Sequence, residues 1–349
     1  MRILCTGGAG YVGSHCLRHF RARGHEVVAF DNLAEGNRAA VGDAPLVVGD
    51  IRDRDALRAA LSAHRIDAVA HFAALISVPA SIKDPRAYWS VNVEGSQALL
   101  DAMVDTGVTR LVVSSTAAVY DHDAPMPLRE TSALAPATPY GTSKLAMEHM
   151  VRDYARAYGL AATALRYFNA AGAEPDGSHG EWRREESHVL PLLMLFALGQ
   201  RPAFKVFGQD WPTADGSCVR DFISLTDLAA AHLLALEGAA SGEMAVYNLG
   251  TGHGTSVLEL LGAAEEVIGR PLGWTPDARR PGDPAVLVAD AELIAERLGW
   301  RPTVSSIREI VAAAWAWHES HPQGYGPHAA EAARTKDTDP PHRIAASGA

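Results

Sequence analysis

A phenol and an ammonium group stand four residues apart in PYGTSK, at Tyr140 and Lys144. On a helix that spacing puts two side chains one above the other, and the run that follows, LAMEHMVRDYARAYG, has helical spacing of its apolar residues. A phenol with an ordinary pKa of about 10 is a poor base at neutral pH, but neighbouring positive charge favours its ionised form. The pair can therefore act as a base, and Lys144 is expected to keep Tyr140 ionised. Thr116, in SSTAAVY after an apolar run, adds a hydroxyl that could bond a substrate oxygen and relay its proton.

A partner for such a base is suggested by TGGAGYVGSH, Thr6 to His15. Its glycines Gly7, Gly10 and Gly13 are spaced three apart, between a strand-like run and a helix-like one. Glycines so placed let the turn tighten and the backbone approach a pyrophosphate, while the helix amino terminus offers unpaired N–H groups and positive potential. The next apolar run ends at Asp31, roughly 20 residues on, where a carboxylate can hold the hydroxyls of an adenosine ribose. Asp31 would repel a 2′-phosphate, which favours NAD over NADP; Arg38 nearby pulls the other way.

These groups need a frame. Short apolar runs at 2–6, 26–30, 46–48, 67–72 and 110–115 alternate with segments of helical spacing such as 53–64 and 88–107. Such alternation predicts an α/β fold: a doubly wound parallel Rossmann-type sheet over residues 1–170, with some later segments returning to it. A smaller mixed α/β C-terminal substrate lobe is expected over 171–325, where loops such as AGAEPDGSHGEWRREESH and GQDWPTADGSCVRD break the rhythm. Residues 326–349 carry few large apolar side chains and read as a disordered tail.

Composition excludes several functions. With 349 residues, 48% of them hydrophobic, the chain can bury a sizeable core. Its net charge of -10 and the lack of a basic run argue against nucleic acid. No window offers the about eighteen apolar residues of a membrane span, and MRILCTGG lacks a leader pattern, so the chain is expected to be complete from Met1 and cytoplasmic. Cys5, Cys16 and Cys218 are widely spaced and form no CxxC pair, so neither a disulfide framework nor a metal site is expected.

Together, PYGTSK and the glycine spacing of TGGAGYVGSH resemble the extended branch of the short-chain dehydrogenase/reductase superfamily. GGAGYVGSH, DNL, GDIRD, HFAA, VNVEGS, SSTAAVY, PYGTSK, LRYFNAAGA, VFGQDWPTADGSCVRDFI, YNLGTG, RRPGDPA and HPQGY follow in order from Arg2 to about Tyr325. In that order they make the chain similar to the UDP-glucose 4-epimerase family. The resemblance implies an isomerase that interconverts UDP-galactose and UDP-glucose through a transient 4-keto sugar and keeps its NAD bound. It implies that Gly7, Gly10, Tyr11, Val12, Gly13, Asp31, Asn32, Asp50, Ile51, Phe72, Ala73, Ala74, Asn92, Ser114, Tyr140, Lys144 and Phe168 form the NAD site. Thr116 and Tyr140 would meet the hexose, and Asn169, His188, Leu190, Phe207, Arg220, Arg280, Asp283 and Leu287 would hold the rest of the UDP-sugar. Guanidinium groups at Arg220 and Arg280 suit phosphate oxygens, although ion pairs with Asp221 or Asp283 are another use for them. A homodimer through the helix of 88–107 and the one bearing Tyr140 is also implied.

Departures from the pattern bear on specificity. Related 4,6-dehydratases carry an Asp-Glu pair after the threonine; here Ala117 and Ala118 stand there, and neither can move a proton. Asp121 follows the strand-end tyrosine in place of a glycine, and Ile76 stands where some members have lysine. Leu287 occupies a position where some members have a tyrosine that narrows the sugar pocket. A change of that size is worth only about 1 to 3 kcal/mol, so other UDP-sugars (UDP-GlcNAc, UDP-xylose or a uronate) stay open as substrates. Net oxidation of a sugar nucleotide and a noncatalytic NAD sensor are the alternatives from other classes.

Overall fold

The computed structural model describes residues 1–280, 282–304 and 306–326, so the tail expected at 326–349 lies outside the described residues except for Gly326. The strands of the first half are β1 (Arg2–Thr6), β2 (Glu26–Asp31), β3 (Leu46–Val48), β4 (Ala68–His71), β5 (Arg110–Thr116) and β6 (Ala161–Tyr167). Later come β7 (Asn169–Ala171), β8 (Lys205–Phe207), β9 (Val219–Arg220), β10 (Phe222–Ser224), β11 (Glu243–Leu249), β12 (Thr255–Ser256), β13 (Thr275–Asp277) and β14 (Val286–Leu287). Between them run helices α1 (Tyr11–Ala22), α2 (Arg54–Ala63), α3 (Val78–Lys83), α4 (Pro85–Tyr88), α5 (Gly95–Thr106) and α6 (Pro139–Tyr158). The second half adds α7 (Val189–Ala197), α8 (Leu225–Gly238), α9 (Val257–Ile268), α10 (Glu292–Leu298) and α11 (Ile307–Ser320).

Seven strands form one parallel sheet in the order β11-β6-β5-β4-β1-β2-β3. Its continuous apolar runs follow from burial on both faces, because successive strand residues point in opposite directions. Ile3 and Cys5 join one cluster with Leu17 and Phe20 of α1 and Leu228 and Leu236 of α8. Leu4, between them, joins the other with Leu57 of α2, Leu99 and Met103 of α5, and Met147 and Val151 of α6. The chain leaves β1 toward β2 and β3 on one side and resumes at β4 on the other. Strand order therefore reverses between β1 and β4, and in such sheets ligands bind beyond the carboxyl ends at that point.

In the second half, α7, α9 and α11 pack on Phe204, Val206 and Phe222 to form a separate apolar cluster. Short strands tie this region to the sheet's carboxyl ends, with β7 beside β10 and β9 between β12 and β14.

One predicted helix is interrupted. Where the spacing predicts a continuous helix over 88–107, the chain runs as a wider π-helix over Trp89–Glu94 before α5 begins at Gly95. Such widened turns turn a side chain inward at functional sites, and Asn92 is the buried residue of this one. By contrast, α6 starts as its sequence indicates. Thr138 caps it by accepting from the Gly141 N–H, Pro139 occupies the first turn, and Gly159 in the left-handed region (φ 72°) ends it.

Candidate functional site

The carboxyl ends of the strands gather most of the residues predicted for the cofactor site. Gly7 follows β1 with φ 69°, and a side chain there would collide with the Ala73 backbone, 2.6 Å away. A Cβ on Gly13 would lie 2.2 Å from the Gly7 carbonyl oxygen, so the first turn of α1 can close on the loop only with glycine there. Gly10 caps α1 without any side-chain bond, which leaves the N–H groups at this helix start for a ligand. At the end of β2, buried Asp31 accepts from Leu33 N–H (2.8 Å) on one oxygen and from Ala9 N–H (3.0 Å) on the other. Each oxygen keeps a lone pair for one hydroxyl of a ribose diol. A pyrophosphate at the helix start and a diol on Asp31 are what NAD presents, so the donor set fits that cofactor.

Other members of the predicted set sit around this cradle in different states. Asn32 accepts from the Ala34 N–H and is exposed. Asp50 is clamped by both arms of Arg52 (2.8 and 2.7 Å), which holds its carboxyl down at about 2. Ile51 is buried against Gly95. Phe72, Ala73 and Ala74 follow β4, with Phe72 N–H bonded to the Thr6 carbonyl, and Phe168 is buried after β6. Tyr11 donates its hydroxyl to the Gly172 carbonyl (2.7 Å), while neighbouring Val12 is half-buried.

Thr116, Tyr140 and Lys144 meet where β5 ends against α6. Gly141 makes the approach possible, since a Cβ there would stand 2.3 Å from the Ala118 carbonyl oxygen. The Thr116 oxygen accepts from Ala118 N–H (3.2 Å), which leaves its proton and one lone pair free. Lys144 is buried and donates to the Ser114 carbonyl (2.8 Å) and hydroxyl (3.3 Å), which leaves one proton. Burial pulls the Lys144 ammonium down to about 8, against the opposing charge of Glu148. Burial pushes the Tyr140 phenol up to about 12; Thr116 and the charge of Arg183 pull the other way, while Tyr88 adds to the rise. The ammonium is tied to Ser114, and positive charge brought beside the phenol would favour its ionised form.

Behind this trio runs a buried chain of which sequence reasoning singled out only Asn92. Ser96 donates to the Asn92 carbonyl (2.6 Å), so its oxygen accepts from His71 Nε2 (2.9 Å). His71 Nδ1 then accepts from the Thr6 hydroxyl (2.7 Å), and burial followed by the charge of Lys144 keeps the ring neutral, down at about 3. Asn92 donates to the Leu75 carbonyl and to Ser143 (both 3.0 Å) and accepts from Leu75 N–H (2.8 Å). Its amide is thereby mostly spent on bracing the loop after β4 against α6, with one lone pair left for a ligand.

The predicted substrate residues lie on several elements of the second half. Arg220 donates to the Val219 carbonyl (2.8 Å) and stands 3.8 Å from Asp283, while the Arg280 guanidinium lies 3.9 Å above the Phe207 ring. Asp221 is not a partner for Arg220; its carboxylate takes N–H groups of Thr251, Gly252 and Ala289. Leu287 pairs in register with Arg220, and Asn169 bonds the Asp221 carbonyl through its backbone N–H. His188 donates from Nδ1 to Glu181 (2.7 Å). Leu190, in the first turn of α7, packs its side chain, 2% exposed, into the apolar cluster beneath that helix.

Residues 3–250 match the NAD dependent epimerase/dehydratase family. The chain is 45% identical over 328 residues to the UDP-glucose 4-epimerase of Lacticaseibacillus casei, covering 93% of this chain and 99% of that protein. It is similar to the crystal structure of UDP-glucose 4-epimerase from Brucella ovis in complex with NAD (41% identity, TM-score 0.87, 90% of this chain and 97% of that one). The UDP-glucose 4-epimerase from Bifidobacterium longum in complex with NAD+ and UDP is similar too, at 33% identity and TM-score 0.89, with 93% and 100% of the chains covered.

Proposed function

The chain belongs to the NAD dependent epimerase/dehydratase family, and from that premise we propose how its residues carry out the work of a UDP-glucose 4-epimerase. The reaction interconverts UDP-galactose and UDP-glucose with NAD as cofactor. The observation that carries the reading is the meeting of Thr116, Tyr140 and Lys144 beside a glycine cradle at the strands' carboxyl ends.

NAD, when bound, supplies reversible acceptance of the hydride from C4 of the hexose and a positive charge beside the phenol. Tyr140 takes the proton of the C4 hydroxyl. The open lone pair and proton of Thr116 suit a relay, in which Thr116 accepts from the sugar and donates to Tyr140. Lys144 spends its third proton on the nicotinamide ribose, held in place by Ser114. The 4-keto sugar turns about its bond to the diphosphate and takes hydride and proton back on the other face. Arg220, Arg280 and Asp283 hold the nucleotide while it turns, which leaves the sugar loosely bound.

Among the described residues no helix is long and apolar enough to cross a membrane. We further read the enzyme as a cytoplasmic homodimer. The outer faces of α5 and α6, tied by Tyr154 donating to Asp101 (2.7 Å), would meet their copies in the pair.

Purified protein given UDP-galactose without added NAD should form UDP-glucose, followed by NMR of the anomeric proton. UDP-GalNAc and UDP-arabinose in parallel samples report how far the pocket at Leu287 extends the range. If UDP-galactose stays unchanged even after NAD is supplied, the epimerase reading fails.

A further inference from the structure

The loop between β7 and α7 brings one more cation to the site. Glu181 is buried, and Trp317 donates its indole N–H to the Glu181 carbonyl (2.9 Å), which fixes the residue from α11. A single oxygen of its carboxylate, Oε1, takes both Arg183 Nε (2.8 Å) and His188 Nδ1 (2.7 Å). Arg183 is therefore held by one nitrogen only. Its two terminal nitrogens make no hydrogen bond among the described residues, although the side chain keeps only 17% of its exposure. Its charge bears on the phenols of Tyr11, at the start of α1, and Tyr140, on α6. The guanidinium is thus near enough to both phenols for its charge to act on them.

Local charge favours an anion there. Glu181 bonds both Arg183 and His188, which outweigh its burial to hold its carboxyl down at about 2. Glu181 in turn raises His188, against the pull of burial. Glu186 spends one oxygen on the N–H groups of Ser187 and His188 (both 2.8 Å). Burial, then Glu181, push Glu186 up to about 7, so it compensates the cations only in part. A fixed, mostly dry guanidinium with a free planar face is suited to phosphate oxygens.

We propose that Arg183 binds the sugar-proximal phosphate of the UDP-sugar, as a third guanidinium beside Arg220 and Arg280. This deepens the epimerase reading and rests on it. With Tyr140 at C4 of the sugar and His188 toward the uridine, the phosphate on C1 is the anionic group that falls between them. Held there, it fixes the pivot about which the keto sugar turns, without restraining the sugar itself.

UDP carries that phosphate and UMP does not, so the pair isolates the contact. Calorimetric titration of the NAD-loaded wild type, Arg183→Met and Arg183→Lys with UDP and with UMP is the test. Losing a charge-assisted bond should weaken UDP binding to Arg183→Met roughly tenfold or more, with UMP changed less than about twofold. Arg183→Lys keeps the charge without the planar fork; it should fall between the two for UDP and match wild type for UMP. Should Arg183→Met fail to fold, Arg183→Lys carries the comparison alone. Equal losses for UDP and UMP, or none for either, would overturn the proposal. A wild type that binds no UDP would overturn the epimerase reading itself.

Discussion

One turn apart on α6, Lys144 and Glu148 are both buried ions, and the fold treats them in opposite ways. Glu148 receives both arms of Arg166 (2.9 and 2.7 Å) and the Ser115 hydroxyl, and Arg166 continues to Tyr120, which donates to Asn248. Every charge in that network has its counterpart. Lys144 has no carboxylate bound to it, only the oxygens of Ser114, and burial depresses its ammonium accordingly. A closed network braces the junction of β5, β6 and α6. An ion left unpaired a turn away is poised for a ligand, and its presence costs the fold stability.

Substituting Lys144→Met should break the comparison most visibly. Turnover should fall by about a hundredfold or more, because the ribose contact and the charge go together. The melting temperature should nevertheless hold or rise at pH 7. The sign follows from linkage: the folded value near 8 lies below the ordinary value of about 10.4, so the unfolded chain holds more protons in that window. Wild-type stability should climb between pH 8 and 10 relative to the variant, which melting curves across that range would check.

Arg166→Met tests the closed half. Leaving Glu148 charged, buried and unpaired should cost roughly 3 to 5 kcal/mol, seen as a lower denaturation midpoint. Glu148→Gln added to Arg166→Met should recover part of that loss. No recovery would mean that packing, rather than the pair, sets the cost.

The smallest effect belongs to Glu186. Its carboxyl, pushed up to about 7, is largely neutral below that pH and gains negative charge above it, beside Arg183 and His188. The KM for UDP-galactose should therefore rise a few-fold from pH 6.5 to 8.5, and Glu186→Gln should flatten that rise. A profile unchanged by the substitution would remove Glu186 from the site's electrostatics.

What was legible in the sequence follows the same division. Strands β1 to β5 declare themselves because burial on both faces demands unbroken apolar runs such as RLVV, whereas β6 and β11, which carry Thr163, Arg166 and Asn248, were not singled out. The start of α6 is written in Thr138 and Pro139, whose types suit a helix start. The bracing groups were harder to see. His71 and Ser96 look like ordinary core and helix residues until the fold sets them side by side. Arg183 lies in RREE, a charge run that reads as solvated surface, and only Trp317, far along the chain, shows that its neighbour Glu181 is buried. The packing of Leu190 was hidden because the lobe's core is assembled from short segments with little periodicity. The widened turn at Trp89–Glu94 left no composition signal, since the same residues would also fit an α-helix.

In the proposed mechanism the phenol becomes a base only when positive charge joins it. Tyrosine labelled at the ring carbon bearing the hydroxyl, with Tyr140→Phe to assign the signal, lets NMR follow Tyr140 through pH in the holoenzyme loaded with NAD or with NADH. With NADH, whose nicotinamide is uncharged, the phenol should titrate near the value of about 12 set by burial. With NAD it should titrate about three pH units lower, as a unit charge roughly 4 Å away would produce at an effective dielectric of about 20. The same high value in both forms, in an enzyme that turns over at pH 7, would contradict it.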